Sequence, residues 1–135
     1  MGLCALAVLR ALYPQVAVAV VARFDAQASL ARRMGADLVL AHEPRLTVIE
    51  ELAAWGGGRL RQPLQGLPMA YPGAIDVVYD TVGKPETFEV GVRVLKARGT
   101  LVKAGVHAPG RWEWSPLYFK AVSYTHLTLP TKRIV

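Results

Sequence analysis

An α/β fold built on a parallel sheet is what this 135-residue sequence predicts, and three observations predict it. Val16 to Ala22 is an almost pure Val/Ala run that stops at Arg23-Phe24-Asp25. A helical pattern follows from Ala26 to Met34. Gly35 ends it, and a second apolar run starts at Asp37. Strand, helix and strand in so short a span is the alternation that joins parallel strands through a crossover helix.

Each element then follows in order. Gly2 to Tyr13 repeats Leu3, Leu6, Leu9 and Leu12 at helical spacing, which predicts a strongly apolar helix packed under a sheet, closed by Pro14. Such a helix normally arrives from a strand and a glycine turn, so Met1 reads as an arbitrary start to a chain that extends upstream. Val16 to Ala22 is apolar on both faces, as an interior strand is. The next helix is expected to turn Ala28, Leu30, Ala31 and Met34 inward and Arg32 and Arg33 outward. Leu38 to Leu40 is a short strand. Leu46 to Trp55 is an amphipathic helix with Glu50 and Glu51 exposed.

Gly56 to Gly73 opens with three glycines and carries three prolines, which predicts an irregular excursion. Ala74 to Tyr79 returns to strand and ends in Asp80-Thr81-Val82-Gly83. Pro85 suits the first position of a helix running to about Ala97, closed by Arg98-Gly99. Thr100 to Ala104 is a further strand, ending in Gly105-Val106. Trp112, Trp114, Tyr118 and Phe119 mark an aromatic segment packed on the domain edge. Val122 to Val135 resembles a translated sequencing adaptor and is set apart from functional argument, although its threonines favour strand. The organisation expected is a domain over residues 1–121 and a non-native tail over 122–135.

Composition narrows the function. The chain is 53% hydrophobic and 19% charged, so it is globular. Its longest apolar stretches hold about 7 residues, against the roughly 20 needed to span a bilayer. No cationic leader follows Met1, so a cytoplasmic protein is expected. The single cysteine, Cys4, excludes an internal disulfide and an all-cysteine metal site, and reads as core packing. The net charge of +6 comes from scattered Lys and Arg. That pattern predicts a solvated basic surface, with no nucleic-acid or membrane partner, and leaves one or two arginines available for a phosphate.

Gly2-Leu3, Met34 to Asp37 (MGAD), Asp76 to Gly83 (DVVYDTVG) and Gly99 to Val106 (GTLVKAGV) occur in one order along Gly2 to Ala121. Together they resemble the nucleotide-binding half of the medium-chain dehydrogenase/reductase family, the zinc-type alcohol and polyol dehydrogenases. The resemblance implies a doubly wound parallel sheet of the Rossmann type, incomplete here because the first strand and earlier fingerprint glycines are absent. The catalytic domain with its Cys, His and Glu zinc ligands is absent too. It further implies NADP or NAD as cofactor, a small alcohol or polyol as substrate of the parent, and a homo-oligomeric parent.

Gly2 would then be the last glycine of the phosphate-binding fingerprint. The place where an NAD site carries an acid on the ribose falls at Ala22, followed by Arg23. A small residue followed by a guanidinium accepts a ribose phosphate where a carboxylate would repel it, which predicts NADP over NAD. The alternative turns Arg23 to solvent and brings Asp25 to the ribose. The resemblance places Thr81, Val82, Gly83, Gly105 and Val106 beside the nicotinamide; by residue type alone they are ordinary strand-to-helix turns. His42 beside Glu43 reads as solvated, His107 lacks a nearby carboxylate, and no Ser stands in a GxSxG context, so no residue is assigned catalysis.

Two functions fit. One is the nucleotide-binding part of an alcohol or polyol oxidoreductase, inactive alone and prone to aggregate where a missing central strand leaves apolar edges. The other is a non-enzymatic nucleotide-sensing module on the same fold. A methyltransferase-like domain fits less well, because it too wants an acid after its second strand.

Overall fold

A computed structural model of the chain describes residues 1–106, 115–121 and 123–126. The elements run α1 (Gly2–Leu12), β1 (Ala19–Ala22), α2 (Asp25–Arg33), β2 (Leu38–Ala41), α3 (Arg45–Trp55), β3 (Arg59–Arg61), β4 (Met69–Tyr71), β5 (Ile75–Asp80), α4 (Pro85–Val94), β6 (Leu95–Lys103), α5 (Ser115–Lys120) and β7 (Ser123–His126). The aromatic residues Trp112 and Trp114, with His107, lie outside the described residues, as do the side chains of Tyr118 and Phe119.

The predicted α/β fold is what forms. β1 pairs in parallel with β2, with Ala19 opposite Leu38 and Ala22 opposite Ala41. β5 pairs in parallel with β6, and β6 in parallel with β7. The parallel sheets are therefore β1-β2 and β5-β6-β7. β1 pairs only with β2 and β5 only with β6, so each has one edge that no described strand pairs.

Helices α3 and α4 join the two sheets through one core. Leu40 from β2, Val48, Ile49 and Leu52 from α3, and Val94 from α4 are buried together, with Ala19, Ile75 and Val78 packed against them. A second cluster, Phe88, Val92, Leu95 and Leu101, ties α4 to β6. Pro85 stands at the start of α4, where its missing N–H costs no hydrogen bond.

The predicted strand–helix–strand unit has a local cause. Gly35 takes φ +87° after α2. Its N–H donates to the Arg32 carbonyl at 3.0 Å and the Ala36 N–H donates to the Ala31 carbonyl at 3.0 Å. That is a Schellman stop, and it needs a residue free of a Cβ penalty at the left-handed position. The chain turns at once into β2.

Several expectations change. The 56–73 stretch is not wholly irregular: β3 and β4 form an antiparallel hairpin, with Leu60 opposite Ala70. Its glycines and prolines sit in the turns and leave two short strands free to pair. Helix α4 stops at Val94, not Ala97, and Arg98-Gly99 lie within β6. There the register slips between Ile75 opposite Leu95 and Val77 opposite Thr100, and Arg98 absorbs the irregularity at φ 62°.

Helix α1 does not bury its leucine stripe; Leu6 is its buried residue, and Cys4 is exposed rather than in the core. Periodicity shows which face can be buried, whereas burial needs a partner surface. Leu30 of α2 is 40% exposed for the same reason, while Ala31 is buried as expected. The first strand is shorter than its apolar run, starting at Ala19.

Candidate functional site

The carboxyl ends of the parallel strands gather the site. β1 ends at Ala22, β5 at Asp80 and β6 at Lys103. In open α/β sheets, ligands lie beyond these ends.

One cluster forms where β5 and β6 end. A Cβ added to Gly2, at the start of α1, would lie 3.2 Å from Thr81 Oγ1. Gly83, at φ +80°, packs its backbone directly on the Gly105 carbonyl, and Gly105 packs on Val82; a Cβ at either glycine would overlap main-chain atoms. Gly2, Thr81, Val82, Gly83 and Gly105 are thus brought together. Val82 is 51% exposed and Val106 is 84% exposed, an apolar pair at the rim.

Asp80 holds this cluster. It is 4% exposed. Its Oδ1 accepts the Val82 N–H at 3.1 Å and the Gly83 N–H at 2.8 Å, with Thr87 Oγ1 at 3.0 Å. Its carbonyl accepts the Ala104 N–H at 2.9 Å and the Gly105 N–H at 3.0 Å. Sequence reading placed Asp80 only as a strand end. The Asp-x-x-Gly spacing of Asp80 to Gly83 is a turn signature that points to this role.

A second grouping lies at the end of β1. Ala22, Arg23, Phe24, Asp25, Ser29 and Arg32 line a cavity of about 340 Å³. Ala22 is buried, and the Arg23 guanidinium sits 5.3 Å from the centroid of the Phe24 ring. Arg32, expected simply outward, is exposed yet lines the same cavity as Arg23. Asp25 lines it too, so the arginine and the acid weighed for the ribose end share one space.

The entry to this unit is locked by Arg10 of α1. Its Nε donates to the Gly35 carbonyl at 2.8 Å, its Nη1 to the Val16 carbonyl at 2.6 Å, and its Nη2 to Asp37 Oδ2 at 2.5 Å. The Val18 N–H donates to the same Asp37 oxygen at 2.7 Å. These bonds, the Val18 amide first, hold the Asp37 carboxyl below its ordinary range.

The family model for zinc-binding dehydrogenases matches residues 1–134. The chain belongs to the zinc-binding dehydrogenase family. It is 33% identical over 107 residues to an alcohol dehydrogenase of Cupriavidus necator, covering 79% of this chain and 25% of that protein. The chain therefore spans about a quarter of the length of that relative. Among solved structures it superimposes on 2R,3R-butanediol dehydrogenase from Bacillus subtilis with a TM-score of 0.74 at 16% identity, over 94% of this chain and 32% of the other. It also superimposes on Escherichia coli quinone oxidoreductase complexed with NADPH, with a TM-score of 0.67 at 23% identity, over 94% of this chain and 34% of the other. These likenesses establish a Rossmann-type α/β fold.

A family named for zinc raises the question of ligands. Among the described residues, no group of three or more His, Cys, Asp or Glu side chains could hold a metal ion. Cys4 and His42 are exposed, and Glu43 Oε2 accepts the Arg45 N–H at 3.2 Å at the start of α3. These residues do not fit a zinc site. No helix among the described residues is long and apolar enough to cross a membrane.

Proposed function

We propose that this chain is the nucleotide-binding part of an alcohol or polyol oxidoreductase, that it prefers NADP to NAD, and that alone it does not turn over substrate. When bound, the dinucleotide supplies the hydride acceptor or donor; the chain's residues bind and orient it. Residues 1–121 carry this role, and 122–135 carry none.

The observation that supports the reading best is the pairing of Ala22 with Arg23 at the end of β1, in a cavity shared with Arg32. Two guanidinium groups at one cavity supply the positive charge that a ribose phosphate needs, and no acid stands at the strand end itself. Gly2 at the start of α1 leaves main chain free to approach the pyrophosphate. Val82 and Val106, both exposed, would offer apolar surface to a flat ring, and Thr81, Gly83 and Gly105 would complete its surroundings. In the complete oxidoreductase, a small alcohol or polyol would meet that ring, and the assembly would be a homo-oligomer.

Asp25 favours one competing reading, because it lines the same cavity and an acid suits unphosphorylated ribose hydroxyls. Calorimetric titration of the chain with 2′,5′-ADP and with 5′-AMP separates them. The phosphorylated ribose is expected to bind about tenfold more tightly, a difference of about 1.4 kcal/mol. Arg23→Ala should erase that margin. Equal affinity, or preference for 5′-AMP, sinks the NADP assignment, and binding of neither ligand sinks the nucleotide-binding role.

A further inference from the structure

Building on the nucleotide-binding reading above, we propose that Asp80 is a positioning residue. It fuses the loops after β5 and β6 into a single bed for the ring end of the dinucleotide. Its side chain holds one loop, through the Val82 and Gly83 amides, and its carbonyl holds the other, through the Ala104 and Gly105 amides. The two loops then touch directly, Gly83 on Gly105.

The carboxylate is not simply a helix cap. Helix α4 begins at Pro85, and its N-cap residue Lys84 makes no side-chain capping bond. Both main-chain donors to Oδ1 precede the helix, and only the Thr87 hydroxyl connects the clamp to its first turn. With 4% of its surface exposed, Asp80 acts on a bound ring only through these amides. Val82 stays 51% exposed although its N–H is held, and Val106, after Gly105, is 84% exposed. The bonds to both loops are made within the chain itself, so the bed is set before a ring arrives.

The test uses the whole chain and two probes. NADPH reports the ring end through its dihydronicotinamide emission, and 2′,5′-ADP reaches only the adenosine end. Asp80→Ala is expected to weaken NADPH by about tenfold and remove the emission change, while 2′,5′-ADP stays within about twofold. Asp80→Asn keeps a carbonyl acceptor at the same place and should recover most of the NADPH binding and its emission. Unchanged NADPH binding in Asp80→Ala overturns the role of Asp80 and leaves the nucleotide-binding reading standing. So does an Asn variant as impaired as the Ala variant, or an equal loss of both probes, which would mark a folding role only. A parent chain that binds neither probe overturns both.

Discussion

Arg10 and Asp37 meet at 2.5 Å, and through this pair α1 grips the turn that joins α2 to β2. The same carboxylate oxygen takes the Val18 N–H, so the chain is anchored just before β1 begins at Ala19. Asp37 belongs to the MGAD segment that carried the family resemblance. Its geometry explains why an acid follows the helix-stopping glycine.

Asp37→Asn is expected to lower stability by about 0.5–1 kcal/mol, since the side chain is 47% exposed and solvent screens the pair. The folded-state pKa lies below the ordinary 3.8. The unfolded chain therefore takes up the proton first as pH falls. The contribution is complete above the unfolded value and disappears as pH drops through the folded one. Urea melts from neutral pH to pH 3 should show a difference between parent and variant that closes at the acid end.

Lys120 makes a prediction of the same sign at high pH. It is 1% exposed, and its Nζ donates to the carbonyls of Val92, Arg93 and Leu95 at 3.3, 2.9 and 2.7 Å, closing the end of α4. Burial, with help from the Arg93 charge, pushes its pKa down from 10.5 to about 8. Between those values the unfolded chain binds more protons than the folded one, so stability rises with pH across the window. Thermal melts from pH 7.5 to 10.5 should show this rise in the parent and not in Lys120→Met.

Arg93 pins the hairpin to α4. It is fully buried, pairs with Glu89 at 3.0 Å, and donates to the Leu67 carbonyl. Glu89 also takes Arg45 of α3 at 3.0 Å. Arg93→Ala is expected to cost about 3 kcal/mol, because one partner of a buried pair is removed. Limited proteolysis should then cut within residues 62–68 faster than in the parent. An unchanged cleavage rate would argue against the pin.

The unpaired edges of β1 and β5 are open to mispairing. Val21 on β1 is 43% exposed and Val77 on β5 is 45% exposed. Lysine on edge strands discourages edge-to-edge association. Val21→Lys combined with Val77→Lys should reduce light scattering of the concentrated chain at low ionic strength, with its far-ultraviolet circular dichroism unchanged. Scattering equal to that of the parent would mean that self-association uses another surface.

Much of the fold was legible in the sequence because its signals are local. The Val/Ala run, the helical spacing of Ala26 to Met34 and Gly35 act over one or two turns of chain, and the parallel β1-β2 unit follows from them. Pro85 marked the start of α4 for the same reason. The end of α4 was not legible, since Leu95 to Ala97 continue a helical pattern and are drawn out of it by Leu95 pairing with Ile75 of β5 and by the Ala97 N–H on the Pro72 carbonyl. The site was half legible. Thr81 to Gly83 and Gly105 read as strand-end turns, but their contact joins residues far apart in the chain.

By itself, then, the sequence determined the order of strands and helices outside the 56–73 hairpin up to β6, the family, and the absence of an acid at Ala22 before Arg23. Those are properties of residue type and spacing along the chain. Only the tertiary structure decided that Asp80 holds two loops, that Arg32 joins Arg23 at one cavity, and that Cys4 and Leu30 stay exposed. Hydrogen-bond partners and burial depend on which distant surfaces meet, and periodicity carries no record of the partner.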